Sequence, residues 1–422
     1  MKVNFPLQES FIMTNKEEYT FEIMAKPCGP LCNLDCVYCF YSCKKDGCNP
    51  SYNWRMDSET LEVFVRGYIR SQPREYPVQF VWQGGEPCLM GLDFFRNAIK
   101  LQRKHKRPGQ EITNAFQTNA TLIDSKWAEF FRENNFLIGV SIDGPEDIHN
   151  RYRVDSSGRG SFASVMNGVE HLRKHNVDYN ALVCITDISA QDPLYIYDFL
   201  KNHFKFIQFI PVVEEKNFKK EAPFQKNSEK WTTNKGRKHS ELVTEWSVTP
   251  KGFGTFLNGI FDSWVQNDVG RIFVQIFDYT LANWMGHPAA LCVLNRTCGR
   301  ALVLEHNGDI YACDHFVYPE YRLGNIKETP IAKLARSKAQ TGFGDDKWER
   351  LPGQCRSCDH LNLCFGGCPR NRFIFTDDGE AELNYLCEGY RSFFSHTSKA
   401  MKFMANELIN HRPASNIMKI SG

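Results

Sequence analysis

The feature that most constrains this chain is the run Cys32-Asn33-Leu34-Asp35-Cys36-Val37-Tyr38-Cys39, which packs three thiols into the pattern C-x-x-x-C-x-Y-C. On a helix, spacings of four and three would bring all three to one face. Pro27, Gly29, Pro30 and Asn33 are loop formers and place the run on a loop instead. Three loop cysteines can hold three irons of a 4Fe–4S cluster and leave the fourth iron open to a bound molecule. A structural zinc site takes four ligands and is a competing reading, with Cys28, Cys43 or Cys48 as the fourth. Buried thiols with no shared ligand are another.

Composition narrows the class. Hydrophobic residues make up 42% and charged residues 24% of 422 positions, the balance of a globular chain with room for two or three domains. A net charge of +2 provides no electrostatic footing for nucleic acid or an anionic membrane. No apolar run reaches the ~20 residues of a membrane span, and Met1 to Ser10 lacks the basic-then-apolar order of a leader. The chain is therefore expected in the cytosol, where sixteen cysteines point to metal binding rather than disulfides. Five lie between Cys28 and Cys43 with Cys48 close by, eight lie between Cys292 and Cys387, and only Cys88 and Cys184 fall between. That distribution predicts at least two metal centres on separate domains.

Residues 1–18 read as an irregular extension. From residue 19 to 213, strand and helix patterns alternate six times. Strands are expected at Tyr19–Ala25, Val78–Trp82, Ile112–Gln117, Phe136–Ile142, Tyr179–Ile185 and Phe206–Val212. Helices are expected at Asp57–Ser71, Leu92–Lys104, Asp124–Asn134, Ser161–His175 and Asp192–Phe204. Such alternation implies a parallel sheet with right-handed crossovers, here a partial (β/α)6 barrel. The unusual sequences sit just after strands, where parallel folds bind ligands. They include Gln83-Gly84-Gly85-Glu86-Pro87, Ser141 with Asp143, and Val212-Val213. Residues 214–250 read as a polar insertion, either a solvated loop or a lid. Residues 251–290 read as bridging helices, with Ile272–Met285 the second of them. Residues 291–395 form a cysteine-rich domain, followed by a C-terminal helix or tail over 396–422.

The eight C-terminal cysteines are Cys292, Cys298, Cys313, Cys355, Cys358, Cys364, Cys368 and Cys387, enough for two four-cysteine sites. Asn307-Gly308 marks a hairpin that can bring Cys298 and Cys313 together. Zinc ribbons would use the same thiols. Haem attachment is excluded, because Asp359 rather than His follows Cys358.

The three-cysteine signature with its Tyr38 resembles that of radical S-adenosylmethionine (SAM) enzymes, whose fold is a partial TIM-type barrel. The C-terminal cysteines are similar in order to the SPASM extension, which carries two auxiliary 4Fe–4S clusters. Within that group Lys26-Pro27, Tyr38-Cys39-Phe40-Tyr41, Gln83-Gly84-Gly85-Glu86-Pro87, Ser141-Ile142-Asp143-Gly144-Pro145, Gln208-Phe209-Ile210-Pro211 and Cys313-Asp314-His315-Phe316 resemble anaerobic sulfatase-maturating enzymes. The resemblance implies SAM and three 4Fe–4S clusters as cofactors. Cys32, Cys36 and Cys39 would hold the SAM-binding cluster. Cys292, Cys298, Cys313 and Cys368 would hold the first auxiliary cluster, and Cys355, Cys358, Cys364 and Cys387 the second. Cys28, Cys43, Cys48, Cys88 and Cys184 are left spare. SAM would meet Gly84, Gly85 and Glu86 at its ammonium, with Gln83 facing the same cavity and Tyr38 also binding the cofactor, Ser141 and Arg153 at its carboxylate and ribose, and Val213 at its adenine. A surface ion pair is the plain alternative for Arg153, and a core position for Val213.

The implied reaction oxidises a Cys or Ser of a sulfatase polypeptide to Cα-formylglycine. A 5′-deoxyadenosyl radical takes a Cβ hydrogen, Asp314 serves as the base, and the second electron leaves through the auxiliary clusters. Asp314 reads alternatively as a turn residue or a support for the cluster ligand. The partners implied are the sulfatase and a reduced flavodoxin- or ferredoxin-type donor, with the enzyme a monomer. Competing readings are another SPASM peptide maturase, for example a thioether-forming one, and a non-catalytic zinc-binding adaptor.

Overall fold

The computed structural model describes residues 20–41, 54–216, 224, 234, 236–287 and 290–420. The expected extension over 1–18, much of the polar insertion, and the spare Cys43 and Cys48 lie outside the described residues.

The barrel strands are β1 (Glu22–Lys26), β2 (Val78–Trp82), β3 (Ile112–Thr118), β4 (Phe136–Ser141), β5 (Asp178–Ile185) and β6 (Phe206–Pro211). They pair in that order, all parallel. The crossover helices are α1 (Ser58–Ser71), α2 (Leu92–His105), α3 (Ser125–Glu133), a short α4 (Glu146–Tyr152), α5 (Phe162–Lys174) and α6 (Pro193–His203). Capping explains several helix starts. Asp57, Asp124 and Asp192 each accept the backbone N–H of the third residue on, worth about 1 kcal/mol apiece. Between sheet and helices lies an aromatic core that includes Phe64, Trp82, Phe95, Phe116 and Phe131, all essentially inaccessible to solvent. α4 was not expected. At seven residues it is too short to show an apolar period, and it buries only His149.

The sheet does not stop at six strands. After the long helix α7 (Pro250–Asn267), β7 (Phe273–Val274) adds to β6 in parallel and leads into α8 (Gln275–Trp284). The segment expected to be helical from Ile272 therefore begins as an edge strand. At the other edge the predicted hairpin forms as β8 (Ala301–Glu305) and β9 (Asp309–Tyr311), extended by β10 (Arg322–Asn325). β8 pairs in parallel with β1 over five residues, from Glu22–Ala301 to Lys26–Glu305. The cysteine-rich segment thus begins as a continuation of the barrel sheet. It goes on through α9 (Lys338–Glu349) and the two-stranded β11 (Arg372–Ile374) and β12 (Leu383–Asn384), and ends in α10 (Cys387–Ile409), which packs along α7. Described parts of the 214–250 insertion carry apolar anchors. Leu242, Val243 and Val248 are buried, and Phe224 packs with Ala312, Phe316 and Phe343.

Candidate active site

The three-cysteine loop leaves the carboxyl end of β1 and is stapled to the Gly-Gly loop at the end of β2. Gly85 N–H donates to the Gly29 carbonyl at 2.8 Å and Glu86 N–H to the Leu31 carbonyl at 2.8 Å. A Cβ on Gly85 would stand 1.9 Å from the Leu31 oxygen, so only glycine lets the two backbones meet. Cys28 lies behind this seam, fully buried, its thiol donating to the Glu86 carbonyl. The loop's far side is held by Asp35 N–H on Val154 O and Val37 N–H on Tyr152 O. Cys32 sulfur accepts from Leu34 N–H and from the Asn119 side-chain amide, which also donates to Asn33 Oδ1. Burial lifts the Cys36 thiol to about 12, with Cys39 and Cys32 close enough to add to the rise. Iron must displace such protons on binding.

Glu86 does not aim its charge at the cavity. It is fully buried, and its carboxylate accepts from Cys88 N–H (2.9 Å), Thr118 hydroxyl (2.9 Å) and Asn119 N–H (2.8 Å). It locks the ends of β2 and β3 together and so positions Asn119 against Cys32. Arg153 is likewise not at the surface. Its Nε donates to Asp143 Oδ2 at 2.9 Å, and that same oxygen accepts the Tyr38 hydroxyl. Asp143 Oδ1 accepts Cys184 N–H at 3.0 Å. The unit is closed by His149, whose Nδ1 accepts Asp143 N–H at 3.3 Å and whose Nε2 lies 2.9 Å from Ser161 Oγ. Because the Ser161 hydroxyl donates to Arg153 O, the imidazole proton belongs on Nε2. Burial holds the His149 pKa down at about 4, so it is neutral.

Asp314 follows Cys313 in a short turn and forms an ion pair with Lys26, the last residue of β1. Burial pushes the Asp314 carboxyl up, but Lys26, His315 and Arg370 outweigh it and hold the group below the usual carboxylate range. Lys26 is 2% exposed, and its ammonium lies 3.6 Å from the centre of the Tyr41 ring. The Tyr41 hydroxyl donates to Glu305, opposite Lys26 on β8, at 2.6 and 2.8 Å to the two oxygens. Phe40 packs edge-on to His315 and under the Arg370 guanidinium. Phe40, directly after the three-cysteine run, therefore touches the turn that carries Asp314, and Tyr41 reaches it through Lys26. Lys26, Glu305 and Arg370 were given no role from sequence. For Lys26 the signals are its place in the Lys26-Pro27 motif and at the end of the apolar strand Glu22–Lys26.

The eight C-terminal thiols fall into two neighbourhoods. Burial raises Cys298 to about 12, with Cys368 and Cys292 adding to it, and Cys313 is raised by burial, Cys292 and Cys368. Separately, Cys387 is raised to about 12 by burial, then Cys364, Cys355 and Cys358. Cys355 feels Cys358, and Cys364 feels Cys355. All cysteines among the described residues are free thiols. Among the described residues no three of these side chains stand so as to hold a single metal ion; soft sulfurs sharing neighbourhoods are the donor chemistry of the larger iron–sulfur clusters.

The radical SAM superfamily pattern matches residues 27–200, and the SPASM pattern, an iron–sulfur cluster-binding domain, matches residues 292–359. Over 398 residues the chain is 45% identical to the serine-type anaerobic sulfatase-maturating enzyme of Bacteroides thetaiotaomicron, covering 94% of each chain. This chain belongs to the anaerobic sulfatase-maturating enzymes. It is also 33% identical to the cysteine-type enzyme of Clostridium perfringens, over 92% of this chain and 98% of the other. A solved structure of native anSMEcpe with bound AdoMet and a Cp18Cys peptide superposes with a TM-score of 0.78 at 32% identity, covering 92% of this chain and 99% of that one. The cofactors of this sulfatase-maturating enzyme are SAM and 4Fe–4S clusters. No helix among its described residues is long and apolar enough to cross a membrane.

Of the remaining expected contacts in this maturase, Gln83 is nearly buried with its amide on Met24 sulfur, and Ser141 is half-buried at the end of β4. Val213 packs in the hydrophobic core.

Proposed function

We propose that this enzyme oxidises a Cys or Ser side chain of a sulfatase polypeptide to Cα-formylglycine, with Asp314 as the proton acceptor. Cys32, Cys36 and Cys39 would hold the SAM-binding cluster. Cys292, Cys298, Cys313 and Cys368 would hold the first auxiliary cluster, and Cys355, Cys358, Cys364 and Cys387 the second. When bound, these groups supply the radical that takes the target's Cβ hydrogen and an outlet for the second electron. Gly84, Gly85, Ser141 and Arg153 bind SAM. Tyr38 and Glu86 act by positioning, through Asp143 and Asn119 respectively.

The observation that carries the reading is the Lys26–Asp314 pair. It keeps a carboxylate ionised beside a cluster cysteine and against the exit of the three-cysteine loop. An ionised carboxylate can accept the proton of a thiol or hydroxyl as Cβ is oxidised. A reduced flavodoxin- or ferredoxin-type protein supplies electrons, and the enzyme works as a monomer; a cytosolic place is in keeping with the free thiols among the described residues.

The test is anaerobic turnover of the iron-reconstituted protein on two synthetic sulfatase-motif peptides, one with Cys and one with Ser at the target position. Formylglycine in either peptide, seen as its characteristic mass loss, is the expected result. Formation of 5′-deoxyadenosine with a thioether product instead would make the chain a different peptide maturase. Zinc in place of iron would leave only a binding role.

A further inference from the structure

Among the described residues, two cations lie inside the cysteine-rich region with no carboxylate in an ion pair with them. Lys347, on α9, is completely buried, and Arg372, opening β11, is 2% exposed. The Lys347 ammonium donates to the carbonyls of Cys292 (2.7 Å), Val293 (3.2 Å) and Asn295. Arg372 donates through Nε to Gly366 O (3.1 Å), through Nη2 to Phe365 O (2.9 Å) and through Nη1 to Lys347 O (2.6 Å). All these partners are backbone carbonyls. Of the acidic residues on α9, Asp345 and Glu349 are exposed and Asp346 is half-buried. Carbonyl dipoles satisfy the hydrogen bonds of a buried cation but leave its charge unanswered, an arrangement that costs heavily in a low-dielectric interior.

Among the described residues, thiols are the groups placed to supply the missing negative charge. The thiols that act on Lys347 are Cys298, Cys292 and Cys368, all of the first group. Those that act on Arg372 are Cys355 and Cys364 of the second group together with Cys298 and Cys368 of the first. Arg372 also grips the Phe365–Gly366 backbone, which runs from Cys364 of one group to Cys368 of the other. A 4Fe–4S cluster held by four thiolates is net negative, and reduction adds one more negative charge. A fixed buried cation therefore stabilises the reduced form more than the oxidised form and raises the reduction potential.

We propose that Lys347 and Arg372 are the built-in counter-charges of the two auxiliary clusters, Lys347 serving the first and Arg372 shared between them. They keep these clusters able to accept the electron released as the target residue is oxidised. The inference rests on the auxiliary-cluster assignment above.

The test compares wild type, Lys347→Met and Lys347→Arg by iron and sulfide content and by anaerobic dithionite titration of the holoenzyme, followed by electron paramagnetic resonance. Met fills similar volume without charge, and Arg keeps the charge in a larger side chain. In Lys347→Met that loads iron fully, one auxiliary signal should shift to lower potential by at least a tenfold change in the one-electron equilibrium, ~59 mV. Lys347→Arg should shift by less. A shift below tenfold in loaded Lys347→Met overturns the proposal. If Lys347→Met fails to hold the cluster, retention of iron in Lys347→Arg supports the charge role, and equal loss in both overturns it in favour of packing. Wild type with about four irons rather than about twelve per chain would overturn the cluster assignment itself, and this inference with it.

Discussion

Lys26 and Asp314 form an ion pair between the end of the first barrel strand and the turn after Cys313. The pair joins the two cysteine-rich ends of the chain where β1 and β8 run side by side. Removing either charge would break the direct ion pair in a mostly buried site.

Asp314→Asn should separate radical generation from product formation. Asn keeps the size of the side chain but cannot take up the proton. Formylglycine should fall by ~10²–10⁴-fold, the usual cost of a lost base, while 5′-deoxyadenosine still forms. Both are read by mass spectrometry of one reaction. Wild-type product yield would show that another group is the base, and lost iron would make Asp314 a support for the cluster.

Gly85→Ala should cost the SAM-binding cluster. The added carbon would lie 1.9 Å from the Leu31 oxygen and 2.4 Å from its carbonyl carbon, both backbone atoms, so the three-cysteine loop must move. Iron should drop by about four per chain, with the C-terminal clusters retained. Full iron and normal SAM cleavage in the variant would show that the seam yields without consequence.

Replacing Cys32, Cys36 and Cys39 together by Ala should abolish 5′-deoxyadenosine formation and leave the C-terminal clusters in place. Their thiols belong to separate neighbourhoods. Any remaining SAM cleavage in the triple variant would move the SAM site elsewhere.

His149 should make stability depend on pH. Its folded pKa of about 4 lies below its ordinary 6.5, because burial disfavours the charged ring and Nδ1 is already occupied as an acceptor. Between those values the unfolded chain binds more protons. The contribution is therefore complete above 6.5 and is lost as pH falls towards 4, at up to about 1.4 kcal/mol per pH unit. His149→Gln, which does not titrate, should lack this component. The stability difference between wild type and variant, followed by anaerobic unfolding at pH 5 and pH 7.5, should change in favour of the variant at the lower pH. A constant difference would mean that His149 is accessible to protons in the folded protein.

The sequence by itself determined the barrel half and the two cysteine groups. Each strand and helix carries its own period, and caps such as Asp57 mark the starts, so local chemistry suffices to place them. The three-cysteine run and the C-x-x-C at Cys355 are contiguous, and their spacing is visible without a fold. Only tertiary structure decided what the charged residues face. Glu86 turns inward to hold Asn119, Arg153 closes on Asp143 inside the protein, and β8 joins β1 to bring Lys26 to Asp314. Lys347 and Arg372 carry no local mark of their place in the sequence and are among the most buried side chains of the described residues. Such pairings depend on which distant segments pack together. A residue's own neighbours do not encode them, because the cost of burying a charge is offset only by partners brought in from elsewhere in the chain.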